Sequence, residues 1–275
     1  MYHPDISCSF LQKVDMNSKS FELAPKKGSR ILIAGGAGGI GQELVSSCLD
    51  AELIPVVLDL RASIEANLHN VCESIAFDGS DQTSIDDAMQ DVGRLSEKLD
   101  GFVFLSGFPI LPRRPLSEVA VEQWEDLMSV NLRSAFLLFR RALPYLMRSE
   151  APSVVTVASS LAYQVMPGMG AYAASKGGLI SLTKAFAMEN APKLRANIVA
   201  PGAVDTNFLG GGTGRDAHSD RSWFDKLSAN YISTIPLGRV AEPKDVIGPI
   251  LFLLGQASAY LTGQVIHVNG GRLTP

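Results

Sequence analysis

Long apolar runs are absent from this chain: no stretch approaches the ~20 residues that cross a bilayer. The first 28 residues also lack the apolar core, roughly 7–15 residues long, of a secretory leader. Charge is scarce as well. Charged residues make up 19% of the 275, and a formal net charge of −4 offers no basic face to nucleic acid or to an anionic membrane. Cysteine is limited to Cys8, Cys48 and Cys72, an odd number without metal-ligand or redox-pair spacing, so reduced, buried or incidental thiols are expected. His3, His69, His218 and His267 do not stand with Cys, Asp or Glu at ligand spacing, so no metal is expected. What remains is a cytoplasmic location, with a small molecule as partner rather than nucleic acid or membrane.

Apolar residues, at 46%, are ample for a core, and the length suits one large α/β domain better than two. Short apolar runs at 31–34, 54–60, 102–106, 153–158, 196–200 and 264–268 alternate with longer amphipathic segments. That rhythm predicts βαβ units: a doubly wound parallel sheet with helices on both faces. No internal repeat or low-complexity tract interrupts it.

The first run ends in glycine. In Ile31-Leu-Ile-Ala-Gly-Gly-Ala-Gly-Gly-Ile-Gly41 an apparent strand leads through Gly35, Gly39 and Gly41 into the helical pattern that starts at Gln42. Glycines in such a turn let backbone N–H groups approach a pyrophosphate at a helix N-terminus. The second run, Ile54-Pro-Val-Val-Leu-Asp59, ends in an acid eighteen residues after Gly41. A carboxylate there accepts hydrogen bonds from an adenosine ribose and repels a 2′-phosphate, which predicts NAD rather than NADP.

A second constellation carries chemistry. In Tyr172-Ala-Ala-Ser-Lys176 the tyrosine and lysine are four apart, on one face if the segment is helical. An ammonium beside a phenol favours the phenolate, and so lowers a pKa that is ~10 in water. Such a tyrosine exchanges a proton with an alcohol or carbonyl oxygen. A serine hydroxyl nearby, such as that of Ser159 thirteen residues upstream, could hold that same oxygen.

With these motifs in this order, the chain resembles the short-chain dehydrogenase/reductase family from about Ser29 to Gly271. The resemblance implies a Rossmann-type sheet of about seven strands. It makes residues 1–28 an N-terminal extension and 272–275 a tail. It also implies a catalytic tetrad of Asn131, Ser159, Tyr172 and Lys176. The cofactor would be held by Gly35, Gly38, Gly39, Ile40, Gly41, Asp59, Leu60, Asp78, Gly79, Gly107, Tyr172, Lys176, Pro201, Gly202, Val204 and Thr206. Within that set, Asp78 would contact the adenine amino group, and Val204 and Thr206 the nicotinamide carboxamide. The implied reaction is reversible hydride transfer between a secondary alcohol or ketone and nicotinamide. The alternatives are an NADPH-dependent reductase similar to 3-oxoacyl-carrier-protein reductases, and a non-catalytic dinucleotide-binding regulator.

Departures from the family pattern carry their own expectations. Phe104-Leu-Ser-Gly107 stands where Asn-Asn-Ala-Gly is usual, and Phe104 is a candidate to pack against adenine. Ala34 stands where a threonine is usual. Residues 207–235, with Gly210-Gly-Gly-Thr-Gly214 between apolar flanks, read as a substrate lid. Arg113 and Arg114 either face the site's mouth, favouring an acidic substrate, or are surface charges. The apolar stretches Ala135-Phe-Leu-Leu-Phe139 and Leu179–Met188 are too apolar for helices buried on one side. In the family the matching helices pair in a homotetramer or homodimer.

Overall fold

Ile31, Leu32, Ile33 and Ala34 are all buried, which requires a strand covered on both faces, as parallel sheets are. In a computed structural model, residues 23–210 and 230–275 are described; residues 1–22, most of the expected extension, and 211–229, most of the expected lid, lie outside them. Seven strands form one all-parallel sheet: β1 (Arg30–Ala34), β2 (Ile54–Asp59), β3 (Glu73–Ala76), β4 (Gly101–Phe104), β5 (Ser153–Val157), β6 (Arg195–Pro201) and β7 (Val265–Val268). Their spatial order is β3-β2-β1-β4-β5-β6-β7. In register, Leu32 pairs with Val56 of β2 and Phe102 of β4.

Because side chains alternate across a strand, each strand feeds two cores. Leu32, Val56, Phe102 and Phe104 point to one face. There they meet α3 (Gln82–Leu95), α5 (Ser134–Leu146) and α6 (Gly170–Asn190) through Ile85, Leu138, Phe139 and Leu179. Ile31, Ile33, Val57, Val103 and Val155 point to the other. They meet α1 (Gly39–Asp50) and α7 (Pro243–Leu254) through Leu44, Val45, Val246 and Ile250. Cys48 is sealed in this second core, and burial pushes its thiol up to about 12, so it is inert. Among the described residues, α2 (Arg61–Asn67) follows β2 and α4 (Val121–Met128) precedes α5.

The chain leaves β1 toward β2 and β3 on one side, then returns to β4 on the other. Open α/β sheets bind ligands outside the carboxyl ends of their strands at such a reversal. The expectation for Phe104 is corrected here. It ends β4, but its side chain is fully buried in the α3–α5–α6 core.

Candidate active site

Along the carboxyl ends of the strands runs a cleft of about 600 Å³. Its width follows from strand spacing: β2 and β5 are three strands apart, ~14 Å at ~4.8 Å each.

The glycine turn builds one end. Gly35 has φ +87 and its backbone presses on the next loop, so that a Cβ would lie 2.7 Å from the Ser106 nitrogen. Gly41 lets α1 start against the turn itself, where a Cβ would be 2.4 Å from the Gly35 oxygen. The side chains of Gln42 and Asn67 both donate to the Ala37 carbonyl, at 3.0 and 3.1 Å, and hold the turn open. The first intrahelical acceptor is Gly38, whose oxygen takes the Gln42 N–H at 2.8 Å. The helix N-terminus and its positive dipole end therefore face the cleft.

Asp59 closes this end. Its two carboxylate oxygens each accept a backbone N–H at 2.8 Å, Oδ2 from Ala37 and Oδ1 from Leu60. Burial raises its pKa, and the two amide bonds oppose that rise. The bonds fix the carboxylate's orientation and leave further lone pairs for a diol. Leu60, Ala62, Ser63 and Ala66 line the wall beside it; Arg61 is exposed and is not part of that wall. Leu105, one residue beyond the expected Phe104, lines the cleft opposite.

Asp78 is held by the turn it belongs to. Its Oδ1 accepts both the backbone N–H (2.8 Å) and the hydroxyl (2.7 Å) of Ser80, which shapes the turn into α3. Phe77 and Gly79 border the cleft on either side of it, and Asp78 does not.

At the other end stand the proton-transfer groups. Ser159 follows β5; its Oγ accepts the Leu161 N–H at 3.1 Å and lies close enough to the Tyr172 phenol to favour its ionised form. Tyr172 and Lys176 lie on one face of α6, as their spacing predicts, and both are buried. Lys176 Nζ donates to the Val157 carbonyl at 3.1 Å and sits 5.8 Å from the Tyr172 ring centre. The expected effect on the phenol is corrected by this geometry. Burial drives the Tyr172 pKa above its ordinary range, Ser159 opposing it, while the same burial lowers Lys176 to about 8. Desolvation disfavours both charged forms, and it outweighs one ammonium whose proton points to Val157.

Asn131 does not line the cleft; it braces the walls. It lies fully buried in a π-helical turn, Ser129–Arg133, between α4 and α5. Such one-turn widenings re-aim side chains at functional sites. Asn131 accepts the Phe108 N–H at 2.9 Å, and donates to the Phe108 carbonyl and to Ser175 Oγ, both at 3.0 Å. Ser175 in turn donates to the Tyr172 carbonyl at 2.8 Å. Ser175 was legible only as a residue inside the Tyr-x-x-x-Lys segment. Its role depends on a contact from another helix.

The strap after β6 completes the floor. Pro201, Gly202, Val204 and Thr206 line the cleft, and backbone bonds from Ala241 to the Ala203 carbonyl and from Asp205 to the Ala241 carbonyl hold the strap. The Thr206 side chain covers Gly39, where a Cβ would meet its Cγ2 at 2.7 Å. Phe208, at the start of the expected lid, lines the catalytic end with its ring 5.8 Å from that of Tyr172, and so does one residue outside the sequence expectation, Arg272, from the tail. No pattern in the sequence marks Arg272.

A helix N-terminus, a fixed carboxylate and a buried Ser–Tyr–Lys group, joined by one groove, fit a dinucleotide at one end and a carbonyl or carbinol at the other. That combination defines a nucleotide-dependent oxidoreductase on a Rossmann-type sheet. Residues 35–272 match the family model described as enoyl-(acyl carrier protein) reductase. The chain is 29% identical over 253 residues to the 3-oxoacyl-[acyl-carrier-protein] reductase of Thermotoga maritima, covering 89% of this chain and 98% of that protein. The enzyme of the same name from Chlamydia pneumoniae is also 29% identical, over 252 residues, with 89% and 96% covered. A Brucella melitensis structure described as a short-chain, glucose/ribitol dehydrogenase superposes with TM-score 0.81 at 27% identity, over 92% of this chain and 99% of that one. Aldohexose dehydrogenase from Thermoplasma acidophilum shares the fold, with TM-score 0.80 at 24% identity, over 90% and 98%. The protein belongs to the short-chain dehydrogenase/reductase family.

Proposed function

We propose that this protein is an NAD-linked enzyme that interconverts a secondary alcohol and its ketone, with Tyr172 as the acid and base. The observation that carries the reading is the buried Tyr172, flanked by Ser159 and Lys176, at the far end of a groove that starts at the glycine turn and Asp59. A nicotinamide in that groove supplies a place for the carbinol hydrogen and its electron pair. Tyr172 Oη gives its proton to the carbonyl oxygen in reduction and takes the hydroxyl proton in oxidation. Ser159 Oγ steadies that oxygen. Lys176 would hold the ribose end, and Gly38–Gly41, Pro201, Gly202, Val204 and Thr206 would hold the rest.

Support for NAD over NADP comes from Asp59 and from its wall. A 2′-phosphate would lie against a carboxylate, and no lysine or arginine is among the described residues lining that end. Support for a dimer or tetramer comes from Phe136 on α5 and Met188 on α6, large apolar side chains 43% and 72% exposed. No helix among the described residues is long and apolar enough to cross a membrane, and a cytoplasmic site of action is part of this reading. The second reading, reduction of a 3-oxoacyl thioester with NADPH, is favoured by the names of the relatives in Thermotoga and Chlamydia.

The test is turnover of secondary alcohols, sugars, sugar acids and 3-oxoacyl thioesters with both nicotinamide cofactors, for the wild type and Tyr172→Phe. Loss of the proton donor should lower turnover by roughly 10²-fold or more while cofactor binding stays near wild type. Near-normal turnover by Tyr172→Phe would remove Tyr172 from the mechanism.

A further inference from the structure

The segment that joins Ser159 to α6 carries a turn whose residues set its shape. In Met166-Pro167-Gly168-Met169 a proline takes the second place and a glycine the third, the pattern of a type II turn. Gly168 has φ +78, as that turn requires, and the Met169 N–H closes it by donating to the Met166 carbonyl at 3.1 Å. Both methionines line the cleft. Two other loops bring apolar side chains to the same place. Phe108 follows β4, and Asn131 holds both its N–H and its carbonyl, so its backbone is fixed. Phe208 follows β6, with its ring tilted by 58° to that of Tyr172. Together with Leu161 these side chains pack around Tyr172 in one apolar cluster.

The cluster has a back and a front. Trp124, Leu127 and Met128, all of α4, belong to it and do not line the cleft. Phe108, Leu161, Met166 and Phe208 do line it and are only partly buried, so their apolar surface forms the wall beside the reacting hydroxyl. Covering such a wall with hydrocarbon is favourable, by roughly fourfold in affinity per methylene. A hydroxyl brought there leaves water and gains no hydrogen-bond partner from these four side chains. Of the paired arginines, Arg113 lines the cleft and Arg114 does not. Arg113 has a partner of its own. Arg272 is engaged as well: it stacks over the Tyr231 ring, 4.8 Å from its centre, and donates to Thr234 Oγ1 at 3.0 Å and to Gln164 Oε1 at 3.4 Å.

We propose that the substrate is an apolar ketone or the matching secondary alcohol, with an alkyl or aryl group on the reacting carbon in place of a run of hydroxyls. Phe108, Met166 and Phe208 determine that preference, covering the hydrocarbon while Ser159 and Tyr172 meet the oxygen. The turnover half of this statement rests on the oxidoreductase reading; the binding half does not.

The experiment separates the two. Butanamide, hexanamide and gluconamide, whose carbonyl resists hydride transfer from a nicotinamide, are titrated by calorimetry into the full-length protein saturated with NADH. Hexanamide should bind about tenfold or more tighter than butanamide, for two added methylenes. Gluconamide, with the same six carbons, should bind at least about tenfold more weakly than hexanamide. The gain from butanamide to hexanamide should fall below about threefold in Met166→Asn/Phe208→Asn, and Met166→Leu/Phe208→Leu should keep it. Titration of NADH into each variant checks that the cofactor half is folded, and Met166→Asn alone gives a smaller change in the same direction should the double variant fold poorly. In parallel, 2-pentanone and 2-heptanone are compared as substrates with NADH, and kcat/KM should rise by about tenfold or more between them. No gain with chain length overturns the proposal, and so does gluconamide binding as tightly as hexanamide or a full gain that survives in the asparagine variants. A gain in binding without turnover of either ketone or of any other keeps the apolar site and sinks the oxidoreductase reading. Turnover of sugars that is lost in Tyr172→Phe, with no gain from chain length, keeps that reading and sinks this proposal.

Discussion

Replacing Lys176 by methionine should make the protein more stable while disabling it. The lysine is buried, and its pKa falls from 10.5 to about 8. A group with a folded pKa below its unfolded one binds fewer protons when folded, so below the folded value it opposes folding in full. Between pH 8 and 10.5 the opposition fades, and above 10.5 it is gone, because the unfolded lysine is then neutral too. At ~1.4 kcal/mol per pH unit, that displacement amounts to about 3 kcal/mol at pH 7. Methionine fills similar apolar space but loses the bond to the Val157 carbonyl, worth about 1 kcal/mol. The net gain expected at pH 7 is about 2 kcal/mol; it should shrink steadily above pH 8, cross zero at about pH 10, and turn into a deficit approaching about 1 kcal/mol above pH 10.5. The assay is urea unfolding of wild type and Lys176→Met at equal subunit concentration, from pH 7 to 10.5, with cofactor absent. Groups that titrate alike in both proteins cancel in the difference. The Tyr172→Phe background removes the phenol, the remaining group close enough to couple. A methionine variant less stable than wild type at pH 7, or a difference that does not change with pH, would refute the reasoning.

Other outcomes follow from the same geometry. NAD should bind at least about tenfold tighter than NADP, ~1.4 kcal/mol, in parallel fluorescence titrations. Asp59→Ser should narrow that ratio while weakening NAD itself, and equal or tighter NADP binding by the wild type would reverse the cofactor assignment. Phe136→Glu combined with Met188→Glu should lower the mass measured by light scattering from that of an oligomer to that of one chain. An unchanged mass would place subunit contact elsewhere.

The sheet was legible because a strand covered on both faces must be a continuous apolar run. Six of the seven strands stand where such runs were read, within two residues at either end. The seventh, β3, was not read as a run. Glu73 and Ser74 make half of it polar, and as an edge strand it pairs with β2 alone. The catalytic and glycine motifs were legible because local spacing on a helix or in a turn fixes which side chains share a face. What escaped depends on contacts made far along the chain. The direction of the Tyr172 shift comes from burial by Phe208, Leu127 and their neighbours, and no tetrapeptide records that. Phe104 and Leu105 differ by one position, and the pleat decides which enters the core and which faces the cleft. Arg272 reaches the site because the chain turns back at Gly270 and Gly271, both at positive φ, after the last strand.

Asp59 has a bearing on how this enzyme can change. The carboxylate that would discriminate between cofactors also anchors the glycine turn through Ala37 and the start of α2 through Leu60. A lineage drifting toward the phosphorylated cofactor cannot simply erase the acid, because two backbone amides would lose their acceptor before the new ligand gained a site. Successful intermediates would keep a small side-chain oxygen at that position and acquire a cation next to it afterwards. Cofactor choice in this protein is therefore inherited together with the shape of its first loop, and selection on one is felt by the other.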